Sequence, residues 1–375
     1  MSMLHYQLIM FSIHPIKLWR YVSLRRLVVP SRLRRFFYTS WEDTLWDLLQ
    51  YFQIPEKAIC LVPEFYCMDV VKNMEEHGLA CVFYPVDPQL QIDPKTFVRY
   101  VRKYQPGVVI ILHSLGITNP LFSHNKSWLK YLPTNTLLIE DCVHRLIDPQ
   151  LICLLTSRHF VIDSLRKVAP IYGSNLYGNA TTLHKFKQSA WWQTLPYQAK
   201  VFWQWWLFQS CLHAAGFLER SMWSRWWNIK AKKFMQKGYD LIGDSQRAAT
   251  GPWFFNFLSQ FLSIKTIEEI KKQQVNCYQG LLQSCWANDI LYQIHFDQVD
   301  GGKLRGFPVG IAAKNADRYL PQLQKNQLAW KYELDDCPWS KRQKIIYLPL
   351  GPHIELKEIE LICKLLITTL NIQTL

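Results

Sequence analysis

Metal-spaced cysteine pairs, long apolar runs, internal repeats and low-complexity tracts are all missing from this 375-residue sequence. Its ten cysteines stand singly, with no CxxC and no Cys/His cluster at zinc spacing, which argues against a metal site and a disulfide framework. Several lie inside apolar runs such as Ala58-Ile59-Cys60-Leu61-Val62, as buried thiols do in a reducing compartment. No stretch reaches the ~20 apolar residues of a spanning helix. The apolar, then basic, N-terminus is interrupted by Tyr6, Gln7, His14, Pro15 and Lys17 and lacks the order of a signal peptide. The expected compartment is the cytoplasm. Acid is scarce as well: 29 Asp and Glu stand against 43 Lys and Arg, for a formal net charge of +14. Such a balance suits an anionic substrate, a membrane surface or nucleic acid. No RNP-like motif accompanies it, so a solvated basic surface is the favoured reading and no nucleic-acid partner is expected.

What is present is an ordinary globular balance, 49% hydrophobic and 19% charged, in a chain long enough for two domains. From about residue 40 to 190, short apolar runs alternate with amphipathic segments. Helical spacing is read over Thr44–Phe52, Asp69–His77 and Pro94–Tyr104. Strands are read at Ala58–Val62, Cys81–Tyr84, Val108–Leu112 and Thr136–Ile139. This alternation predicts an α/β fold, a mostly parallel sheet with helices on both faces. Composition shifts at Gly251-Pro252. Beyond it lie a strand at Lys344–Leu350, a Gly351-Pro352 break and a helix from about Leu356. The expected division is a large domain over 1–250 and a smaller α+β domain over 251–375.

Half of the sixteen tryptophans fall between residues 191 and 227, interleaved with Lys200, Arg220, Arg225, Lys230, Lys232 and Lys233. Packing into a subunit interface is the favoured reading of this segment. The other is a peripheral membrane contact through 191–233, with indoles at headgroup level and cations meeting anionic lipid.

In parallel sheets ligands bind beyond the carboxyl ends of the strands, which is where His113, Asp141 and His144 fall. Ser164-Leu165-Arg166-Lys167 follows. Taken singly, the lysine reads as a surface charge, the aspartate as a helix cap and the serine as a turn residue. In this order they match what pyridoxal phosphate (PLP) asks of a protein. Lys167 supplies an amine to hold the aldehyde as an imine, and Asp141 a carboxylate to keep the pyridine nitrogen protonated. His144 lies against the ring or its 3-oxygen, and Ser164 donates to the phosphate. A free lysine is a poor nucleophile at neutral pH, so burial or a neighbouring cation such as Arg166 would help deprotonate Lys167.

The chain resembles the DegT/DnrJ/EryC1/StrS aminotransferases over residues ~40 to ~367. The matching segments are Leu61-Val62-Pro63-Glu64-Phe65-Tyr66, Gly78 to Asp87, Ile111 to Gly116, Ile139-Glu140-Asp141-Cys142-Val143-His144, Ser164 to Lys167, and Ile346-Tyr347-Leu348-Pro349-Leu350. The resemblance implies a PLP-transferase fold of type I with Lys167 as the imine lysine, Asp141 as the pyridine partner and His144 as a ring contact. It places Tyr66 or Cys67 at the ring-stacking position, and Ser40 and Thr44 in the phosphate loop. It also implies a homodimer with its active site at the interface, passing an amino group from a donor such as glutamate to a nucleotide-linked keto sugar. The family's small-residue loop, S-G-T-A-A-L, here reads Ser40-Trp41-Glu42-Asp43-Thr44-Leu45. Either its two carboxylates point outward, or cofactor binding is weakened or lost. The glycine pair that usually follows the lysine reads Gly173-Ser174. Two alternatives to the transferase stand: a degenerate member acting as a binding or membrane-associated protein, and a PLP-dependent sugar dehydratase.

Overall fold

The structure is a computed structural model that describes residues 19–122, 126–217, 222–243, 248–287, 290–326, 328–329 and 331–371. The N-terminal reading over residues 1–18 and the cation Arg220 lie outside the described residues. The chain runs β1 (Leu33–Tyr38), α1 (Trp41–Tyr51), β2 (Ile59–Pro63), α2 (Met68–Glu76), β3 (Ala80–Tyr84), α3 (Pro94–Tyr104) and β4 (Val108–Leu112). It continues through β5 (Leu137–Asp141), β6 (His159–Ile162) and β7 (Ser174–Asn179) into two long helices, α4 (Leu195–Phe217) and α5 (Met222–Gly243). Then come α6 (Trp253–Ser259), α7 (Ile264–Leu282), β8 (Leu291–Gln293), β9 (Gly306–Ala312), α8 (Ala313–Lys325), β10 (Gln343–Pro349) and α9 (Leu356–Thr369).

Local chemistry accounts for the boundaries. Ser40 caps α1 by accepting from Asp43 N–H, so that helix starts at Trp41, earlier than apolar spacing alone predicts. Asp93 caps α3, Pro94 pre-sets its first turn, and Phe97 and Val101 form its buried stripe. Val108–Leu112 is apolar throughout and buried throughout, as a central strand of a parallel sheet must be.

Seven strands form one sheet in the order β1-β7-β6-β5-β4-β2-β3. Those from β6 to β3 are mutually parallel, while β7 runs antiparallel to both β6 and β1. The carboxyl ends of β1, β4, β5 and β6 therefore share one edge with the start of β7. The registers Leu112↔Asp141, Asp141↔Ile162, Ile162↔Leu176 and Tyr38↔Ser174 fix that edge. A second sheet, β10-β9-β8, is antiparallel. One apolar core runs from the large sheet into the small one. The turn after β4 makes a close contact between them: Arg305 N–H donates to Leu115 O at 2.9 Å. Gly116 follows at φ +94°, where a Cβ would come within 2.4 Å of Lys303 O, so only glycine fits.

Candidate functional site

Lys167 closes the short turn Leu165–Lys167 just beyond β6, which brings its amine to the shared strand edge. Its pKa is lowered, chiefly by burial and then by the Arg305 and Arg166 guanidiniums, against which Cys67 and Asp141 pull. A lysine in this setting keeps more of its amine neutral than a surface lysine does.

Asp141 ends β5 and is 1% exposed. It accepts from Tyr66 Oη–H at 2.7 Å and from Val143 N–H at 3.0 Å. Burial nevertheless raises its pKa to about 6, with Glu42 adding to the rise and Tyr66 and Lys167 opposing it. His144, three residues on, accepts Leu115 N–H at Nδ1 (3.1 Å), so its hydrogen sits on Nε2, 4.0 Å from Glu333 Oε1. Burial, then Lys167 and Arg305, hold this imidazole far below its ordinary pKa and therefore neutral.

The remaining residues singled out in the sequence are placed as follows. Tyr66 is buried, and its hydroxyl is committed to Asp141. Cys67 is half-buried at the start of α2, its thiol pushed up by burial and opposed by Lys167. Ser164 is buried at the head of the Lys167 turn without capping it. Ser40 Oγ accepts Asp43 N–H (3.0 Å) and donates to Asp43 Oδ2 (2.8 Å). Thr44 Oγ1 donates to Ser40 O at 2.9 Å. Glu42 and Asp43 do not point outward: they are 7% and 0% exposed, and Glu42 Oε2 is buried without a hydrogen-bond partner.

Three site residues escape sequence reading because they come from the small sheet. Arg305 precedes β9, Tyr347 lies in β10, and Glu333 sits between β9 and β10. Arg305 Nη1 donates to Glu333 Oε1 (3.2 Å) and Tyr347 Oη (3.1 Å), while its buried Nε has no partner. Glu333 thereby bridges Arg305 and His144 across the two sheets.

Beneath the site lies a second cluster that could be mistaken for a metal centre, since His113, Glu140 and Cys142 offer ligand atoms within 4.8 Å of one another. Its hydrogen bonds argue otherwise. His113 Nδ1 accepts Asn119 N–H (3.1 Å) and His159 Nδ1 accepts Leu155 N–H (2.9 Å). Each Nε2 thus carries a hydrogen and faces Glu140, at 2.8 Å and 3.2 Å. Arg145 adds a guanidinium at 3.3 Å. Burial alone would raise the Glu140 carboxyl, but the two imidazole contacts outweigh it and hold its pKa well below the usual range. Glu140 thus gathers His113, His159 and Arg145 at the end of β5, with His159 Nε2 close to the carboxylate but outside hydrogen-bond geometry.

Asp141 has a consequence for stability. Its folded pKa of about 6 lies above the ~3.9 of an unfolded aspartate, so between these values the folded state binds more protons. The associated penalty is absent below about pH 4 and fully present above about pH 6. Asp141→Asn should therefore stabilise the ligand-free protein by on the order of 2 kcal/mol at pH 7, with no gain at pH 4. Urea titrations at the two pH values test this; an equal effect at both would refute it.

No family model matches the sequence, and no curated protein matches it either. Solved structures match over nearly its whole length. Aminotransferase TlmJ from Streptoalloteichus hindustanus is 13% identical, with a TM-score of 0.57, covering 90% of this chain and 86% of that one. NtdA from Bacillus subtilis, solved with bound cofactor PMP, is 11% identical with a TM-score of 0.55, over 90% and 73%. A DegT/DnrJ/EryC1/StrS aminotransferase from Brucella abortus is 12% identical with a TM-score of 0.52, over 95% and 90%. In fold, then, the chain resembles these proteins: a mostly parallel seven-stranded sheet of the PLP-dependent, type I architecture.

Proposed function

We propose that the protein binds PLP through Lys167 and acts as an aminotransferase-like enzyme, taking an amino group from an amino acid such as glutamate and passing it to a nucleotide-linked keto sugar. The observation that carries the reading is one constellation at the strand edge: an amine of lowered pKa, a buried carboxylate at the end of β5 and a neutral imidazole held by a backbone amide. The donor set fits the ring end of the cofactor. Lys167 would hold its aldehyde carbon, Asp141 its pyridine nitrogen, and His144 would lie against the ring. PLP, when bound, supplies an electron sink for the carbon that gains or loses the amine. The chain's own work is to keep Lys167 able to take and return a proton and to supply from Asp141 a negative charge that keeps the ring nitrogen protonated. The small sheet closes over His144 through Arg305 and Glu333 and so excludes water.

A second reading, a non-catalytic member of this fold, is favoured by the phosphate end. There the Ser40 hydroxyl is spent on Asp43, and Glu42 and Asp43 turn inward at the start of α1. Anions at a helix start are stabilising as caps but repel a phosphate dianion. Titrating the purified protein with PLP separates the two. The expected result is a saturable yellow absorbance that glutamate bleaches. An absorbance spectrum that never departs from free PLP would overturn the enzymatic reading.

A further inference from the structure

Helices α4 and α5 pack on each other through Tyr197, Val201, Trp205, Phe208 and Cys211 on one side and Ala231 and Ile242 on the other. That contact consumes one face of α4. The opposite face presents Phe202, Trp203 and Trp206 to solvent, the two indoles stacked at 5.0 Å. Helix α6 extends the strip: Phe255 touches Phe202, while Trp253, Phe254 and Phe257 stand exposed, with Phe257 three and four residues from the other two and so on their helical face. The segment before β1 prolongs it further. It runs against the end of α6 through Ser23 N–H to Phe261 O and Leu27 N–H to Gln260 O, leaving Leu24 and Val28 exposed. The apolar surface thus passes from α4 over α6 to Leu24 and Val28, and more than half of its exposed residues lie outside the tryptophan-rich segment visible in the sequence.

The strip itself carries charge of one sign: Lys200, Arg25 and Arg26 are exposed within it. No Asp or Glu occurs in residues 19–28, in α4 or in α6. Against a second copy the strip is poorly matched, because a two-fold contact brings like cations together. Against an anionic bilayer it is complementary: indoles and phenyl rings enter the headgroup boundary and the cations meet lipid phosphates. No helix among the described residues is long and apolar enough to cross a membrane, so the contact would be made in the plane of the interface.

We propose that the protein docks on anionic membrane surfaces through the aromatic strip formed by α4, α6 and residues 24–28. The test is sedimentation of the full chain with phosphatidylcholine vesicles, with and without about a third phosphatidylglycerol, at low and high salt. Binding is expected to the anionic vesicles at low salt only, with a blue shift of tryptophan emission. Trp203→Ser with Trp253→Ser, both exposed, should weaken it at least tenfold while circular dichroism stays unchanged. Two results would overturn the proposal. One is no binding of the parent protein to anionic vesicles at low salt. The other is a parent dimer that the double variant dissociates, which would assign the strip to self-association.

Discussion

Lys167→Ala is expected to abolish both the yellow absorbance of the PLP-loaded protein and its response to glutamate, lowering amino transfer by about 10⁴-fold or more. The size follows from what the amine does. In the proposed role it would both hold the cofactor and move protons, and among the described residues no second lysine is placed at the Asp141–His144 edge. Lys167→Arg separates this chemistry from mere charge. Arginine keeps a cation near Asp141 but cannot deprotonate, so it should be equally inactive. A residue that served only as a counter-ion would be rescued by it. The fold should tolerate the alanine change, since burial and two guanidiniums already make the lysine charge costly. Retention of the absorbance by the alanine variant would remove Lys167 from the mechanism altogether.

The largest stability effect should come from Glu140→Ala. Its carboxylate faces the Nε2 hydrogens of His113 and His159 and is the counter-charge of Arg145. Removing it takes the carboxylate from Arg145, which keeps Thr118 Oγ1, and leaves the buried His113 Nε2–H without its acceptor and His159 without its nearby anion. The expected loss is about 3–5 kcal/mol in a denaturant titration. Glu140→Gln, which keeps an acceptor but not the charge, should lose less. A loss under about 1 kcal/mol for the alanine variant would mean that water replaces the carboxylate and that the network is not structural.

The parallel half of the large sheet was legible because its signals are local. Pro94–Tyr104 and Val108–Leu112 occur at the residues their periodicity predicts, and β2, β3 and β5 are displaced by only a residue or two. Strands β1, β6 and β7 were not visible. Leu33-Arg34-Arg35-Phe36-Phe37-Tyr38 mixes charge into an edge strand, and Ser174-Asn175-Leu176-Tyr177-Gly178-Asn179 is polar enough to pass for a loop. Their pairing partners, not their own sequences, make them strands. The placement of Asp141, His144 and Lys167 at one strand edge was legible because they follow strand ends in chain order. That of Arg305 and Glu333 was not, because only folding brings the small sheet against His144. The inward turn of Glu42 is also a tertiary fact, with no local signature to distinguish it from an ordinary first-turn carboxylate.

The position of β1 has a consequence for how the chain comes off the ribosome. Strands β2 to β5 find partners among segments made shortly before or after them. Among the described residues, strand β1 pairs along its length with β7, as Leu33↔Asn179 shows, and its end bridges to the still later Thr250. At about 5–20 residues per second, about 7 to 30 seconds of synthesis separate the two strands. During that interval the Arg34, Arg35, Phe36 and Phe37 ribbon and the first turn of α1 have no template. The strand edge that brings Ser40, Asp141 and Lys167 together therefore assembles late and all at once. A nascent chain stopped before residue 174 should carry an open β-edge that invites a chaperone or a second chain, whereas one extended past 180 can close it.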